Sequence, residues 1–196
     1  LRIEAFAISM IDFLQFCNQF TRLTDEAADE LYQNVTTRTF QKDEYPVRSG
    51  EICRYIFFIS KGLTKTFFYK EDKEFIMRFF SQNESFTVLE SLLTQKPSHF
   101  TVMALETTTV TLLSYEKMEM LCCKHHCIET LFRKLISMAS VMMMKRISEM
   151  LEANGTRRYQ QFVEENNELL QRINLGDLAN YLGITQQSLS RIRSKK

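Results

Sequence analysis

With 196 residues, 44% of them hydrophobic, the chain is long enough for one large domain or two modest ones around a proper core, so it reads as an ordinary globular protein. Its 25 Lys and Arg offset 24 Asp and Glu to a net charge of +1, which excludes any argument about partners from overall charge and leaves only local clustering as a guide. Five cysteines, an odd number, argue against a complete disulfide framework; with no apolar run of about 18 residues and no secretory leader pattern, they point to a reducing cytoplasm and no membrane partner.

Residue 1 is leucine, so the natural N-terminus is expected to lie further upstream. Ile8 to Cys17 and Asp25 to Asn34 read as short helices, the second opening at a Thr24 cap with Ala27, Ala28, Leu31 and Tyr32 on its buried side. From Val35 to Tyr115 the texture changes to short β-branched and aromatic segments, punctuated by Pro46, Ser49-Gly50, Lys61-Gly62, Glu71-Asp72-Lys73 and Gln82-Asn83. Tyr55 to Ser60, Leu63 to Tyr69 and Glu74 to Phe80 are predicted as strands joined by tight connections, with Thr101 to Leu105 and Thr108 to Ser114 as a later pair. About eight such strands fit an antiparallel jelly roll.

Glu116 to Cys123 predicts a short helix, Lys124-His125-His126 a break, and Ile128 to Leu151 one long helix. Leu131, Leu135, Met138 and Met142 form one apolar stripe on it, and Phe132, Ile136, Ala139, Met143 and Ile147 another. Two faces imply two partners: one stripe covers the chain's own barrel, and the other, spaced close to a coiled-coil seam, meets a twin helix in a homodimer, with Leu131, Leu135, Met138 and Met142 as the candidate seam. Met142-Met143-Met144 is adaptable packing material rather than a metal box.

Leu178, Leu182, Ile184, Leu189 and Ile192 can meet in one small core only if a helix ends near Leu182, turns, and resumes near Gln186. Gly183 supplies the left-handed turn, Ala179 leaves room for the crossing, Thr185 is a natural N-cap, and Asp177 suits the first turn of the first helix. The second helix turns Gln186, Gln187, Ser188 and Arg191 outward, hydrogen-bonding residues of the kind that read base edges or hold phosphates in a major groove. Beyond Gln171 the bases Arg172, Arg191, Arg193, Lys195 and Lys196 face the single acid Asp177, an electrostatic footprint for a polyanion. These signals predict a helix-turn-helix that docks on double-stranded DNA.

An N-terminal jelly roll, a long helix and a C-terminal helix-turn-helix, in that order, resemble the Crp/Fnr family of bacterial transcription regulators. The likeness is carried by Ser49-Gly50-Glu51 before a strand, by Tyr55-Ile56-Phe57-Phe58-Ile59-Ser60-Lys61-Gly62, and by Ile184-Thr185 through Ser190-Arg191-Ile192; the run from Arg158-Tyr159 through Ile173 and Tyr181 to Thr185 looks like members from the Bacteroidetes. The fold implied is α+β: a cyclic-nucleotide-binding-like jelly-roll domain with a helical lead-in over 1–127, a dimerisation helix over 128–154, and a winged-helix-like DNA-binding domain over 155–196. The resemblance implies a dimer on a pseudo-palindromic promoter site that contacts RNA polymerase, with Gln186, Gln187 and Arg191 at or near bases, Thr185 and Ser188 on phosphates, and Arg193 in support. Many relatives continue past this point into further strands, so the wing is expected to be minimal or the sequence short of its end.

In the same family a cyclic-nucleotide pocket needs a glycine and glutamate after a barrel phenylalanine, then an arginine and a small hydroxyl residue about ten positions on. Here Phe86 is followed by Thr87-Val88-Leu89-Glu90, and Ser98-His99-Phe100-Thr101 stands where the arginine should be. The effector pocket (Phe86, Val88, Leu89, Glu90, Ser98 and His99) is therefore degenerate, with no affinity expected for cyclic AMP; the barrel senses another small molecule or none. His99 alone does not make a haem or anion site.

Cys122-Cys123-Lys124-His125-His126-Cys127 gathers soft and imidazole ligands but lacks the separated Cys-x-x-Cys pairs of structural zinc sites, so neither metal nor cofactor is expected. An enzyme-like cupin would need histidines and a carboxylate converging in the barrel, where only His99 lies, so no catalysis is expected. The other alternative is a scaffold that does not bind DNA.

Overall fold

The computed structural model describes residues 12–194, so the start of the first predicted helix and the basic Lys195 and Lys196 lie outside the described residues. Contacts divide the chain into two compact units: the described part up to Thr66 with Phe79–Met138, and Phe67–Arg78 with the chain from Ala139 onward.

In the first unit, helix α1 covers residues 12–20, continuing past the predicted end at Cys17. Helix α2 (Asp25–Asn34) opens where the Ala27 N–H donates to Thr24 Oγ1 at 3.2 Å. Ala27 and Leu31 are fully buried, but Tyr32, expected beside them, is 43% exposed. It stands one residue past Leu31, about 100° round the helix, and so turns off the buried stripe.

Seven strands follow among the described residues: β1 (Thr36–Phe40), β2 (Tyr55–Lys61), β3 (Leu63–Lys70), β4 (Lys73–Ser81), β5 (Ser85–Phe86), β6 (Thr101–Ala104) and β7 (Thr108–Ser114). They form a four-stranded sheet in the order β1-β7-β2-β5 and a three-stranded sheet in the order β4-β3-β6, with an isolated antiparallel bridge between Val47 and Val102. The antiparallel two-sheet jelly roll is thus present, β6 ending one residue before the predicted Leu105. In the larger sheet β7 runs antiparallel to β2 from Tyr55 opposite Ser114, with a register shift between Ile59 and Lys61.

Successive side chains on a strand point to opposite faces, and here both faces of the β2/β7 ladder are covered. Phe57, Ile59, Val110 and Leu112 enter one core with Phe40, Val88 and Val102, while their neighbours Phe58 and Leu113 enter another with Phe13, Phe16, Leu31, Met118 and Ile128. That is why Tyr55 to Ser60 reads as an almost continuous apolar run.

Helix α4 (Tyr115–Lys124) is capped by Ser114, whose Oγ accepts from the Lys117 N–H at 3.2 Å. His125 adopts an extended conformation, and α5 (His126–Glu152) starts immediately after it, two residues before the predicted Ile128. Ile128 and Leu131 are fully buried in the first unit's core, with Phe132 and Leu135 packed against it. From Met138 onward the apolar residues are exposed. The expected division between two stripes is instead a division along the helix axis, its N-terminal turns covered and its C-terminal turns bare.

In the second unit α6 (Gly155–Glu165), a 3-10 turn (Asn167–Gln171), α7 (Leu175–Leu182) and α8 (Gln186–Arg193) enclose a small core of Tyr159, Phe162, Leu169, Leu178, Ala179, Leu182 and Leu189.

Candidate nucleic-acid interface

The hairpin of α7 and α8 is fixed at each terminus by side chains that its own sequence supplies. Asn174 Oδ1 accepts from the Asp177 N–H at 2.8 Å, and Asn174 Nδ2 donates to Asp177 Oδ2 at 2.8 Å, so the buried Asp177 is satisfied by its own cap as well as by the helix dipole. At the other end Gly183 takes φ 64°; its N–H donates to Asn180 O at 3.4 Å, while the Ile184 N–H donates to Ala179 O at 3.1 Å. That paired pattern is the Schellman closure, and it needs a residue tolerant of the left-handed region. Thr185 then caps α8, its Oγ1 accepting from the Ser188 N–H at 3.1 Å and donating to Ser188 Oγ at 3.0 Å.

Leu178, Ala179, Leu182 and Leu189 are buried, and the predicted core members Ile184 and Ile192 are half-buried beside Gly155. A Cβ on Gly155 would stand 2.8 Å from Ile184 Cγ2, so this glycine lets α6 approach the turn. Thr185, Gln186, Gln187, Arg191 and Arg193 are exposed, and Ser188 is half-buried. Gln187 and Arg191, four residues apart, share a face of α8. Gln186 leans back over α7: a Cβ on Gly176 would meet its Nε2 at 2.9 Å. The edge is therefore built of one glutamine and one arginine side by side, with the second glutamine set toward the neighbouring helix.

The hairpin is tied to the long helix through its carbonyl end. The Arg146 guanidinium donates to Tyr181 O and lies 3.8 Å from the Tyr181 ring centroid; Arg158 donates from Nε to Leu182 O at 2.9 Å and from Nη1 to Ala153 O. Two cations thus sit at the negative end of the α7 dipole. Burial, partly offset by Arg146, raises the Tyr181 phenol above its ordinary pKa. From the start of β4, Glu74 Oε1 accepts from Asn180 Nδ2 at 3.3 Å. Sequence reading missed Arg146, Arg158, Glu74, Asn174 and Asn180. Only Asn174, an Asx residue just before an apolar helix, carried a local signal.

The predicted effector pocket is a different kind of place. Phe86 and Val88 are buried, Leu89 is half-buried, and Glu90 and His99 are exposed, with His99 edge-on to Phe100 at 5.7 Å. Phe86 stacks on Phe57 at 4.6 Å with planes 2° apart, and Phe80 closes on Phe86 at 5.6 Å, so aromatic rings fill the inside of the barrel at this end. Between β5 and β6 runs helix α3 (Leu89–Thr94), and the hydroxyls of this segment bond the protein's own backbone. Thr87 donates to Tyr55 O at 2.9 Å, Ser91 to Lys96 O at 2.5 Å, and Ser98 to Phe100 O at 2.7 Å.

Residues 37–125 match the model of the cyclic nucleotide-binding domain. No curated protein sequence matches the chain. Among solved structures it is similar to FixK2 from Bradyrhizobium japonicum (19% identity, 82% of this chain and 83% of that one, TM-score 0.71) and to a transcriptional regulator of the crp/fnr family from Eubacterium rectale (14%, 87% and 82%, 0.68). A CooA mutant from Carboxydothermus hydrogenoformans is similar to the same degree (15%, 90% and 86%, 0.68). The chain has the Crp/Fnr regulator fold.

Within that fold the predicted seam residues separate. Leu131 is 1% exposed and Leu135 packs on the same core, so neither is free to line an interface; Met138 and Met142 are exposed at 46% and 40%. Leu131 and Leu135 face inward because the N-terminal turns of α5 pack on the first unit's core. The most exposed apolar residues of this helix are Val141 at 62%, Met144 at 68% and Leu151 at 81%, which sequence reading left out of the seam.

The three cysteines of the cysteine-histidine segment, Cys122, Cys123 and Cys127, are free thiols, as are Cys17 and Cys53. Burial, then Glu119, pushes the Cys122 thiol up to about 11. His125 Nε2 is 3.5 Å from Glu30 Oε2, outside hydrogen-bond geometry, while Lys124 Nζ reaches the same oxygen at 3.1 Å and draws the Glu30 pKa down. Among the described residues no three His, Cys, Asp or Glu side chains are placed to hold a metal ion, and no helix is long and apolar enough to cross a membrane.

Proposed function

We propose that this protein is a cytoplasmic DNA-binding transcription regulator that acts as a homodimer on a pseudo-palindromic promoter site and adjusts transcription by contact with RNA polymerase. The observation that carries the reading is the exposed Gln187–Arg191 edge of α8, held rigid by the Thr185 cap and the Gly183 turn behind it. Arg191 is suited to a guanine edge and Gln187 to adenine, with Ser188, Thr185 and Arg193 toward phosphates and Gln186 reaching a base only after swinging away from Gly176. The division of labour follows the chain: sensor over 1–127, dimer helix over 128–154, reader over 155–196.

Pairing through α5 is supported by its uncovered apolar turns. Met138, Val141, Met144 and Leu151 recur at intervals of three, three and seven, near the spacing of a two-helix seam. Cyclic AMP is not the signal of this barrel: no arginine stands in the cassette, its hydroxyls are engaged with backbone carbonyls, and Phe57, Phe80 and Phe86 occupy its interior. The sensor answers a different small molecule, or none.

The test is selection of genomic fragments by the purified chain, followed by titration of a selected fragment at several salt concentrations. Tight binding with a steep salt slope, lost in Arg191→Ala, is the expected result. Equal retention of random and selected fragments, or no retention at low salt, overturns the reading.

A further inference from the structure

The hairpin of α7 and α8 holds two glycines, and only one of them is needed for its backbone. Gly183 takes φ 64°, whereas Gly176, the second residue of α7, keeps a φ outside the left-handed region. Glycine inside a helix is disfavoured against alanine because it loses more backbone freedom on folding. What Gly176 provides is therefore room rather than conformation. A Cβ there would stand 2.9 Å from Gln186 Nε2 and 3.9 Å from Gln186 Cδ, with Asn174 Oδ1 at 3.1 Å. The backbone at this point is held by the Thr185 cap, whose hydroxyl is engaged with Ser188, so the amide end of Gln186 fills the volume that a methyl group would take. Gln186 stands about 100° round α8 from Gln187, off the face that Gln187 shares with Arg191.

We infer that Gly176 is a positioning residue that sets the sequence specificity of the reader: the room it leaves keeps the Gln186 amide folded against α7, and the bases are left to Gln187 and Arg191. The inference rests on the DNA-reading role proposed above. A glutamine amide turned toward the groove adds a bidentate partner for adenine, through N6 and N7, and disfavours base pairs that cannot offer both. Specificity is a difference between affinities, so a glutamine held back widens the set of sites the chain accepts, as one turned outward narrows it. Replacing Gly176 by alanine favours the helix by propensity but evicts the amide, because the far end of a flexible side chain yields before backbone does. The two effects run in opposite directions: the fold gains, and the choice of bases changes.

Genomic fragments are selected with the full chain and with Gly176→Ala, and the enriched sequences are compared base pair by base pair. Expected for Gly176→Ala is an adenine preference at one base pair that the unsubstituted chain reads weakly, about tenfold in dissociation constant against the other bases there, with a melting temperature no lower than before. Gly176→Ala/Gln186→Ala should lose that added preference, since the glutamine through which Gly176 acts is gone. In the unsubstituted chain, nuclear Overhauser contacts are expected between the Gln186 side-chain amide protons and the Gly176 Hα protons, a measurement that stands whether or not a variant folds. Identical selected sequences for the chain and Gly176→Ala, no enrichment by a folded Gly176→Ala, an added preference that survives in the double variant, or absence of the Overhauser contacts each overturns this inference alone. An unsubstituted chain that enriches no sequence overturns the DNA-reading role with it.

Discussion

The segment between β5 and β6 and the hairpin of α7 and α8 are built from the same materials, short helices with hydroxyl and amide side chains at their ends, yet they finish differently. In the first, Thr87, Ser91 and Ser98 all donate to backbone carbonyls of the same unit, and the ring of Phe86 closes the space behind them. In the second, Asn174 and Thr185 are likewise used up as caps, but Gln187 and Arg191 stand outside the capping network on an exposed face. A polar residue already bonded to its own backbone stabilises a loop; only one left over can recognise something else without first breaking a bond. That contrast, rather than residue type, sets the exposed face of α8 apart from the cassette.

The contrast breaks most decisively if the closed interior can be opened to a nucleotide. Phe57→Ala removes the ring stacked on Phe86 and is expected to cost about 3–5 kcal/mol of stability by chemical denaturation, because the surrounding sheet relaxes only partly. It should still show no heat of binding with cyclic AMP, since removing the ring supplies space but no arginine for the cyclic phosphate. Cyclic AMP binding by this variant would mean that packing alone closes the pocket.

Arg191→Ala sharpens the comparison from the other side. It is expected to weaken a selected DNA fragment by about 1–3 kcal/mol, measured by anisotropy, with an unchanged melting temperature. The side chain is exposed, so a fall in stability would place it among the capping residues instead. Smaller still are two hydroxyl deletions that should report on folding alone. Ser98→Ala leaves the Phe100 N–H and carbonyl without their partner and should cost about 1–2 kcal/mol. Thr185→Ala removes the α8 cap and should cost about 1 kcal/mol, with DNA affinity falling only as far as the helix start frays.

Features set by neighbours in sequence were readable without a structure. Gly183 after Leu182, Thr185 before Gln186 and Thr24 before Asp25 are local signals, and each terminates or opens a helix as its chemistry dictates. The strands at Tyr55 and Thr108 were equally plain, but an apolar run gives no sign of which face Phe57 and Phe58 enter, because both faces are covered. The same blindness affects α5, where Leu131 and Met142 look alike as members of one stripe and only tertiary packing separates the buried residue from the bare one. Arg146 and Arg158 were invisible because the carbonyls they cap lie 35 and 24 residues away.

The smallest expected effect concerns the third polar cluster, at Glu30, Lys124 and His125, which is neither closed like the cassette nor free like the reader. Lys124, first by its hydrogen bond and then by its charge, holds the Glu30 pKa below the ordinary 4.5, with His125 adding to the same direction. A carboxylate with a depressed folded-state pKa contributes stability above its unfolded value and loses it as pH falls through the folded one. The melting temperature of the chain should therefore carry a slight downward component as pH drops below about 4.5, absent in Glu30→Gln, and shrinking in high salt because the pair is solvent-exposed. His125 bears on this directly. Its Nε2 sits 3.5 Å from the same oxygen without a formed hydrogen bond, so His125→Gln should leave most of the component in place, whereas Lys124→Gln should remove most of it. If instead the histidine variant abolishes it, the half-buried imidazole, and not the surface lysine, is what tethers α2 to the break before α5.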